Sequence, residues 1–294
     1  MNRSTSSGPV LITGCSTGIG RAAALALHEA GLTVYASARR LETLKDLEDR
    51  GIRTVSLDVT DEASMADAVA AIEAAAGPIE VLVNNAGYGL YGTVEQLPMA
   101  EVRRQFETNF FGLVRLTQLV LPGMRRAGRG RILNVSSMGG RTTLPGGAFY
   151  HASKYAVEAM SDALRVEVAP FGIDVVLIEP GPVKTPWVDA AAASVSTATE
   201  VTGTDDPYAD FKKAVTDSFA TAQRGPVARL ASTADDIAAV IAKAVTARRP
   251  RTRYLINPVA KGLVGLKRWL PDRAHDAALR RQYGLPRPAS RAAR

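Results

Sequence analysis

A chain of 294 residues, 46% of them hydrophobic, can bury a substantial core and fits one large α/β domain. Its single cysteine, Cys15, excludes an internal disulfide and points to a reducing, cytoplasmic location. The net charge of +7 is unevenly spread: residues 248–294 hold 13 Lys or Arg against two Asp, whereas the rest holds 23 basic and 27 acidic residues.

Residues 9–13 read as a buried strand, followed by a glycine-rich turn and an Ala/Leu-rich helix over about 18–30. Residues 32–37 form a second predicted strand, 41–49 a helix and 52–57 a third strand. A helix over 61–76, with Asp61 as its N-cap, leads to a fourth strand at 79–83. A long helix over about 99–125 precedes a strand at 131–135, and another over about 150–169 precedes a strand at 173–178. Uniformly apolar strands alternating with helices predict a doubly wound, mainly parallel sheet covered on both faces, with ligands at the carboxyl ends of its strands.

After residue 178 the regularity breaks. Residues 180–206 are rich in Pro, Ala, Ser and Thr, and their length predicts a lid rather than a simple connection. Helical patterns return at 207–221 and 233–247, and 253–256 offers a last strand. The chain therefore reads as one Rossmann-like unit over 1–257, with a substrate loop at about 182–225, and a basic extension over 258–294. No stretch approaches the ~20 apolar residues of a membrane span, and the first apolar run is too short for a signal peptide.

Thr13-Gly14-Cys15-Ser16-Thr17-Gly18-Ile19-Gly20 lies between the first strand and the first helix. Glycines there permit a tight turn and let main-chain N–H groups approach a pyrophosphate, with the helix dipole assisting. Tyr150 and Lys154, four apart in a helical pattern, share one face. A nearby ammonium favours a phenolate, so this pairing is expected to lower the tyrosine pKa from about 10 and suit it to proton transfer. Ser136 and Ser137 stand at the end of a predicted strand, where a hydroxyl can bond a substrate oxygen. His28, His151 and His275 are scattered and Cys15 stands alone, so no metal-ligand spacing exists. Ser153 lacks a Gly-x-Ser-x-Gly elbow.

The glycine loop, Asn84-Asn85-Ala86-Gly87, Asn109, Ser137, Tyr150-x-x-x-Lys154, and Pro180-Gly181 with Thr185 occur in the order and spacing of the short-chain dehydrogenase/reductase family, which the chain resembles from about Val10 to Thr185. The loop around Cys15 and the run Asn84 to Gly89 resemble its steroid and retinoid branch. The resemblance implies a catalytic set of Asn109, Ser137, Tyr150 and Lys154, with Tyr150 as acid and base. It implies a dinucleotide held by Gly14, Ser16, Thr17, Gly18, Ile19 and Gly20, with Asp58 at the adenine and Val59, Asn85, Ala86 and Gly87 as further cofactor-binding residues. Tyr150 and Lys154 also contact the cofactor, and Pro180, Gly181, Val183 and Thr185 hold the nicotinamide end. The family's NAD-selecting acid falls at Ala38, and Arg39 follows, which favours NADP(H) over NAD(H).

The implied activity is interconversion of a carbonyl and an alcohol. The alternative is a non-catalytic dinucleotide-binding regulator on the same fold. Leu90, Tyr91, Leu144, Phe149, Trp187, Tyr208 and Phe211 are candidates for a lipophilic substrate pocket. The family implies pairing of the two long helices in a homodimer or homotetramer. No base-stacking pattern or helix-turn-helix supports nucleic-acid binding. In the tail, Leu263, Leu266 and Leu270 would form an apolar stripe, with Trp269 near its edge and Lys261, Lys267 and Arg268 around it. Such a helix either docks beside the substrate loop or makes weak contact with an anionic membrane surface; its two glycines favour docking.

Overall fold

In a computed structural model, which describes residues 8–197, 206–224 and 226–285, the apolar runs become strands of one parallel sheet. The strands are β1 (Val10–Ile12), β2 (Val34–Ala38), β3 (Arg53–Ser56), β4 (Val81–Asn84), β5 (Gly130–Val135), β6 (Ile173–Pro180) and, last in this sheet, a strand at Arg253–Ile256, in the order β3-β2-β1-β4-β5-β6 and then Arg253–Ile256. Every neighbouring pair is parallel, with Ile12 opposite Ala36 on one side and Val83 on the other. Successive side chains face opposite ways. Val10, Ile12, Val81, Val83, Leu133 and Ile178 enter one core cluster, while Leu11, Leu82, Ile132 and Val175 enter the other. Both faces are thus dry, which is why these strands read as continuous apolar runs.

Helices α1 (Gly18–Glu29), α2 (Lys45–Glu48), α3 (Glu62–Ala76), α4 (Met99–Phe106), α5 (Gly112–Ala127) and α6 (Ala148–Val168) connect the strands. The helix expected over 41–49 is a 3-10 turn, Leu41–Leu44, followed by the single turn of α2. Asp61 caps α3 as expected, accepting from the Ser64 N–H at 3.1 Å. The long helix expected over 99–125 is interrupted between α4 and α5 by a π turn, Glu107–Phe111, that contains Asn109. Such a widened turn redirects a side chain without ending the helix and recurs at functional sites.

The structure differs from the sequence reading beyond β6. The Pro/Ala-rich stretch is ordered into β7 (Val183–Lys184) and α7 (Pro186–Thr197); its remainder, 198–205, lies outside the described residues. Alanines at 190–193 supply the helix propensity that the flanking Pro, Ser and Thr obscure. Then come α8 (Ala209–Arg224), α9 (Pro226–Leu230), β8 (Ser232–Thr233), which pairs with β7, α10 (Ala234–Thr246) and β9 (Arg253–Ile256). A capping box between Thr233 and Asp236 starts α10. The tail also has a defined place. It forms α11 (Pro258–Trp269) and α12 (Asp272–Gln282). Asn257, in the left-handed region at φ 71°, caps α11 by accepting from Ala260 N–H at 2.9 Å and donates to the Pro182 carbonyl at 3.2 Å. No helix among the described residues is long and apolar enough to cross a membrane.

Candidate active site

The carboxyl ends of β1, β2, β4, β5 and β6 open into one cleft of about 1280 Å³. At its first wall, Gly14 and Gly18 take positive φ values of 72° and 59°, as the turn from β1 into α1 requires. Gly20 packs so closely on this turn that a Cβ there would collide with the Gly14 carbonyl oxygen. Thr17 makes no side-chain cap and no acidic residue occupies the first turn of α1, so its N–H groups and dipole remain available to an anion. Thr13 fastens this loop to the one after β4. Its hydroxyl accepts from the N–H groups of Asn85 and Ala86, each at 3.0 Å, while Asn85 Nδ2 donates to Thr13 O at 2.9 Å and Gly14 O at 3.2 Å.

Farther along the wall, Ala38, Arg39, Leu57, Asp58 and Val59 line the cleft. The Asp58 carboxylate accepts from both the N–H and the hydroxyl of Thr60, at 2.9 and 2.8 Å. Arg40 pairs with Glu42 at 3.7 Å, whereas Arg39 is exposed and has no carboxylate partner among the described residues. Pro180, Gly181, Val183 and Thr185 form the opposite wall, where Thr185 approaches Gly18 across the cleft.

Ser137, Tyr150 and Lys154 face this same space. Burial pushes the Tyr150 phenol up to about 12, and a hydrogen bond with the Ser137 hydroxyl pulls it part of the way back. The expected lowering of this pKa by Lys154 does not appear. Lys154 Nζ donates instead to Val135 O at 2.8 Å, and burial lowers its own pKa to about 8, with Glu158 acting against that shift. Asn109 lies behind the cleft surface. Its side chain holds both main-chain groups of Tyr88, at 3.0 and 2.9 Å, and donates to Ser153 Oγ at 3.1 Å. Ser153 in turn donates to the Tyr150 carbonyl at 2.7 Å, so Asn109 meets Tyr150 through a serine and through its main chain.

An aromatic group closes around Tyr150. The ring centroids of Trp187 and Tyr91 stand 5.2 and 5.8 Å from it, and Phe219 stands 4.9 Å from Tyr91. Tyr91, Leu144 and Trp187 line the cleft as expected for a pocket. Leu90 and Phe149 belong instead to a separate cluster with Leu97 and Val102, Tyr208 bonds Glu95, and Phe211 backs the aromatic group. Val259 and Leu263 of α11 and Tyr283 after α12 complete the outer wall. Sequence reasoning also passed over His151, whose ring bridges Gly139 O at 3.0 Å and Leu144 N at 3.1 Å. Its signal was the set of glycines at 139 and 147: a Cβ at either would press on the imidazole.

A doubly wound sheet with a glycine cradle, a hydroxyl pair and a lysine at its strand ends defines a dinucleotide-dependent oxidoreductase. Residues 9–195 match the family model for short chain dehydrogenases. The chain is 39% identical over 279 residues to a 3-ketodihydrosphingosine reductase of Bacteroides thetaiotaomicron, covering 94% of this chain and 98% of the relative. It is 34% identical over 276 residues to an NADPH-dependent 3-dehydrocapnine reductase of Ornithobacterium rhinotracheale, covering 90% and 94%. A short-chain dehydrogenase from Streptomyces avermitilis has a similar structure, with a TM-score of 0.74 and 31% identity over 93% of this chain and 99% of that one. The chain is an oxidoreductase of the short-chain dehydrogenase family.

Proposed function

We propose that this chain reduces the carbonyl of a lipophilic substrate with NADPH, Tyr150 delivering the proton to the oxygen. The observation that carries the reading is that the Ser137–Tyr150 hydroxyl pair and Lys154 open into the same cleft as the uncapped, glycine-lined start of α1. That cradle fits a dinucleotide: a Cβ at Gly14 would press on the Asn85–Ala86 loop, and no acidic side chain of the first turn opposes a pyrophosphate. Gly14, Ser16, Thr17, Gly18, Ile19 and Gly20 would hold the phosphates, Asp58 the adenine, and Pro180, Gly181, Val183 and Thr185 the carboxamide, with Val59, Asn85, Ala86 and Gly87 as further cofactor-binding residues. When bound, the nicotinamide supplies the hydride.

The residues supply the rest. Ser137 and Tyr150 hydroxyls converge on the substrate oxygen, where charge develops as the carbonyl is reduced. The proton leaves Tyr150 Oη for that oxygen. Lys154, charged at neutral pH, is held on Val135 O and leaves the Tyr150 pKa unlowered in the free protein; with the cofactor bound, it would offset the negative charge left on the phenolate. Asn109 and Ser153 fix the main chain at Tyr88 and Tyr150 so that the phenol is aimed. Arg39, exposed and without a carboxylate partner among the described residues, would take a 2′-phosphate, which supports NADP(H) over NAD(H). Tyr91, Trp187, Leu144, Val259 and Leu263 give the substrate end an apolar wall.

Two relatives named as reductases, one of them as NADPH-dependent, support the direction and the cofactor. Exposed Phe111, Tyr155 and Val166 on the two long helical segments support a homo-oligomer paired through them. The test is NADPH oxidation with ketones of increasing chain length. Rates that rise with apolar length support the reading. No turnover with any ketone or aldehyde, despite tight NADPH binding, favours a non-catalytic dinucleotide-binding protein.

A further inference from the structure

Helix α11 borders the substrate end of the cleft, and its apolar residues run from the cleft wall out to solvent. Inward, it gives Val259 and Leu263 to the cleft wall. Outward, it presents Leu266 at 47% exposure and Trp269 at 82%, the latter the most exposed large hydrophobic side chain among the described residues. Among the described residues nothing covers this side. A Cβ at Gly262 or Gly265 would meet no atom within 4 Å beyond the helix's own backbone. Leu266, three residues after Leu263, continues the cleft-side stripe of α11 to the helix's exposed edge, and Trp269 follows three residues later on the same helix.

The charge around this face is positive. Lys261 and Arg268 are exposed on α11, and Arg273 and Arg281 on α12. The acidic groups nearby are Asp272, paired with Lys267 at 2.7 Å, and Asp276. Over residues 258–294 nine Lys or Arg face two Asp. An exposed tryptophan and leucine framed by cations match an anionic lipid surface, where an indole settles at the headgroup level and the cations meet lipid phosphates. A second copy seated here would bring two strongly positive segments together, which like-charge repulsion disfavours.

We infer that the exposed face of α11, Leu266 and Trp269 with Lys261 and Arg268 on the same helix, seats the protein on an anionic membrane surface. The cleft wall adjoins this face on the same helix, so seating holds the substrate end at the bilayer interface. With two apolar anchors and no spanning helix among the described residues, the contact is shallow and reversible.

Co-sedimentation of the full chain with sucrose-loaded vesicles tests this, using phosphatidylcholine alone and phosphatidylcholine mixed with phosphatidylglycerol, at low and high salt. The protein is expected to sediment with the anionic vesicles only, and high salt is expected to release it. The L266S/W269E variant should bind at least about tenfold more weakly, with unchanged melting and unchanged NADPH oxidation on a short, water-soluble ketone. The surface variant K261E/R268E, which leaves the apolar pair intact, should lose the same binding. The inference is overturned if wild type ignores anionic vesicles at low salt, or if both variants sediment like wild type. It is also overturned if light scattering shows a dimer that L266S/W269E converts to a monomer, which assigns the face to a second copy. Because vesicle binding is read without substrate, its failure is separate from a failure of ketone reduction.

Discussion

Lys154 donates from Nζ to the main-chain oxygen of Val135 at 2.8 Å, tying the middle of α6 to the end of β5, just before Ser136 and Ser137. Burial brings that ammonium down from 10.5 to about 8, so it is charged at neutral pH and loses its proton in mild alkali. Tyr150, at about 12, keeps its proton throughout that range. For ketone reduction, kcat/KM is therefore expected to be flat below pH 8 and to fall above about pH 8 with unit slope, through Lys154 rather than Tyr150. In Lys154→Arg the alkaline limb should move up by at least about one pH unit, because a guanidinium stays charged. A limb that stays in place in that variant assigns the ionisation to another group.

Tyr150→Phe removes the proton donor while leaving the ring among Tyr91, Trp187 and His151. Turnover is expected to fall by about a hundred- to ten-thousand-fold, the usual contribution of a general acid. NADPH affinity should be nearly unchanged, since the glycine cradle lies on β1 and α1. Fluorescence titration and single-turnover kinetics separate the two. Near wild-type turnover in Tyr150→Phe would remove this residue from the chemistry.

The parallel sheet was readable because strands buried on both faces, such as Val10–Ile12 and Val81–Asn84, carry no polar residue to mark a solvent side before their last position. Tyr150 and Lys154 were readable as neighbours because a helix puts residues four apart on one face. Other features rest on contacts that span the chain. Tyr91 N–H donates to Ser194 Oγ at 2.8 Å across 103 residues, and Tyr283 packs on the aromatic cluster beside Tyr150. No local pattern announces either. The route from Asn109 to Tyr150 through Ser153 was hidden for a different reason: it depends on a π turn, which has no sequence period of its own. The tail helix was legible in the spacing of Leu263 and Leu266, whereas its cap was not: Asn257 takes a left-handed φ to accept from Ala260 N–H, which no local pattern announces.

Arg39 stands at the end of β2, where a carboxylate would repel a 2′-phosphate, and the preceding residue is Ala38. A charge-assisted contact of about 1.5–3 kcal/mol corresponds to roughly 10- to 100-fold in affinity. Ala38→Asp with Arg39→Ser should therefore lower the NADPH-to-NADH preference by at least about tenfold, mostly by raising KM for NADPH. Steady-state kinetics with both cofactors decide it. Equal use of the two cofactors by the wild-type protein would show that Arg39 does not select.

His151 is held neutral by its two partners. The Gly139 carbonyl can only accept, so Nδ1 carries the proton; the Leu144 N–H can only donate, so Nε2 carries a lone pair. Protonating Nε2 would set two donors against each other in a buried site, and burial already lowers this pKa from 6.5 to about 4. Between those values the unfolded chain binds the proton and the folded chain does not, so this group's contribution to stability is complete above pH 6.5 and declines as pH falls toward 4. By pH 5 the loss is about 2 kcal/mol. Glu158 works the other way: burial beside Glu179 raises it from 4.5 to about 7, so its contribution is full below 4.5 and is lost as pH rises through 7. The wild-type curve mixes both, and a variant isolates the histidine. His151→Gln should cost about 1–3 kcal/mol at pH 7.5, where both imidazole bonds are intact in the wild type. Urea unfolding at pH 7.5 and pH 5 should then show the gap between wild type and His151→Gln narrowing by about 2 kcal/mol in acid. A gap that is the same at both pH values would mean that this imidazole titrates alike in the folded and unfolded chain, and the clamp between Gly139 and Leu144 would have to be abandoned.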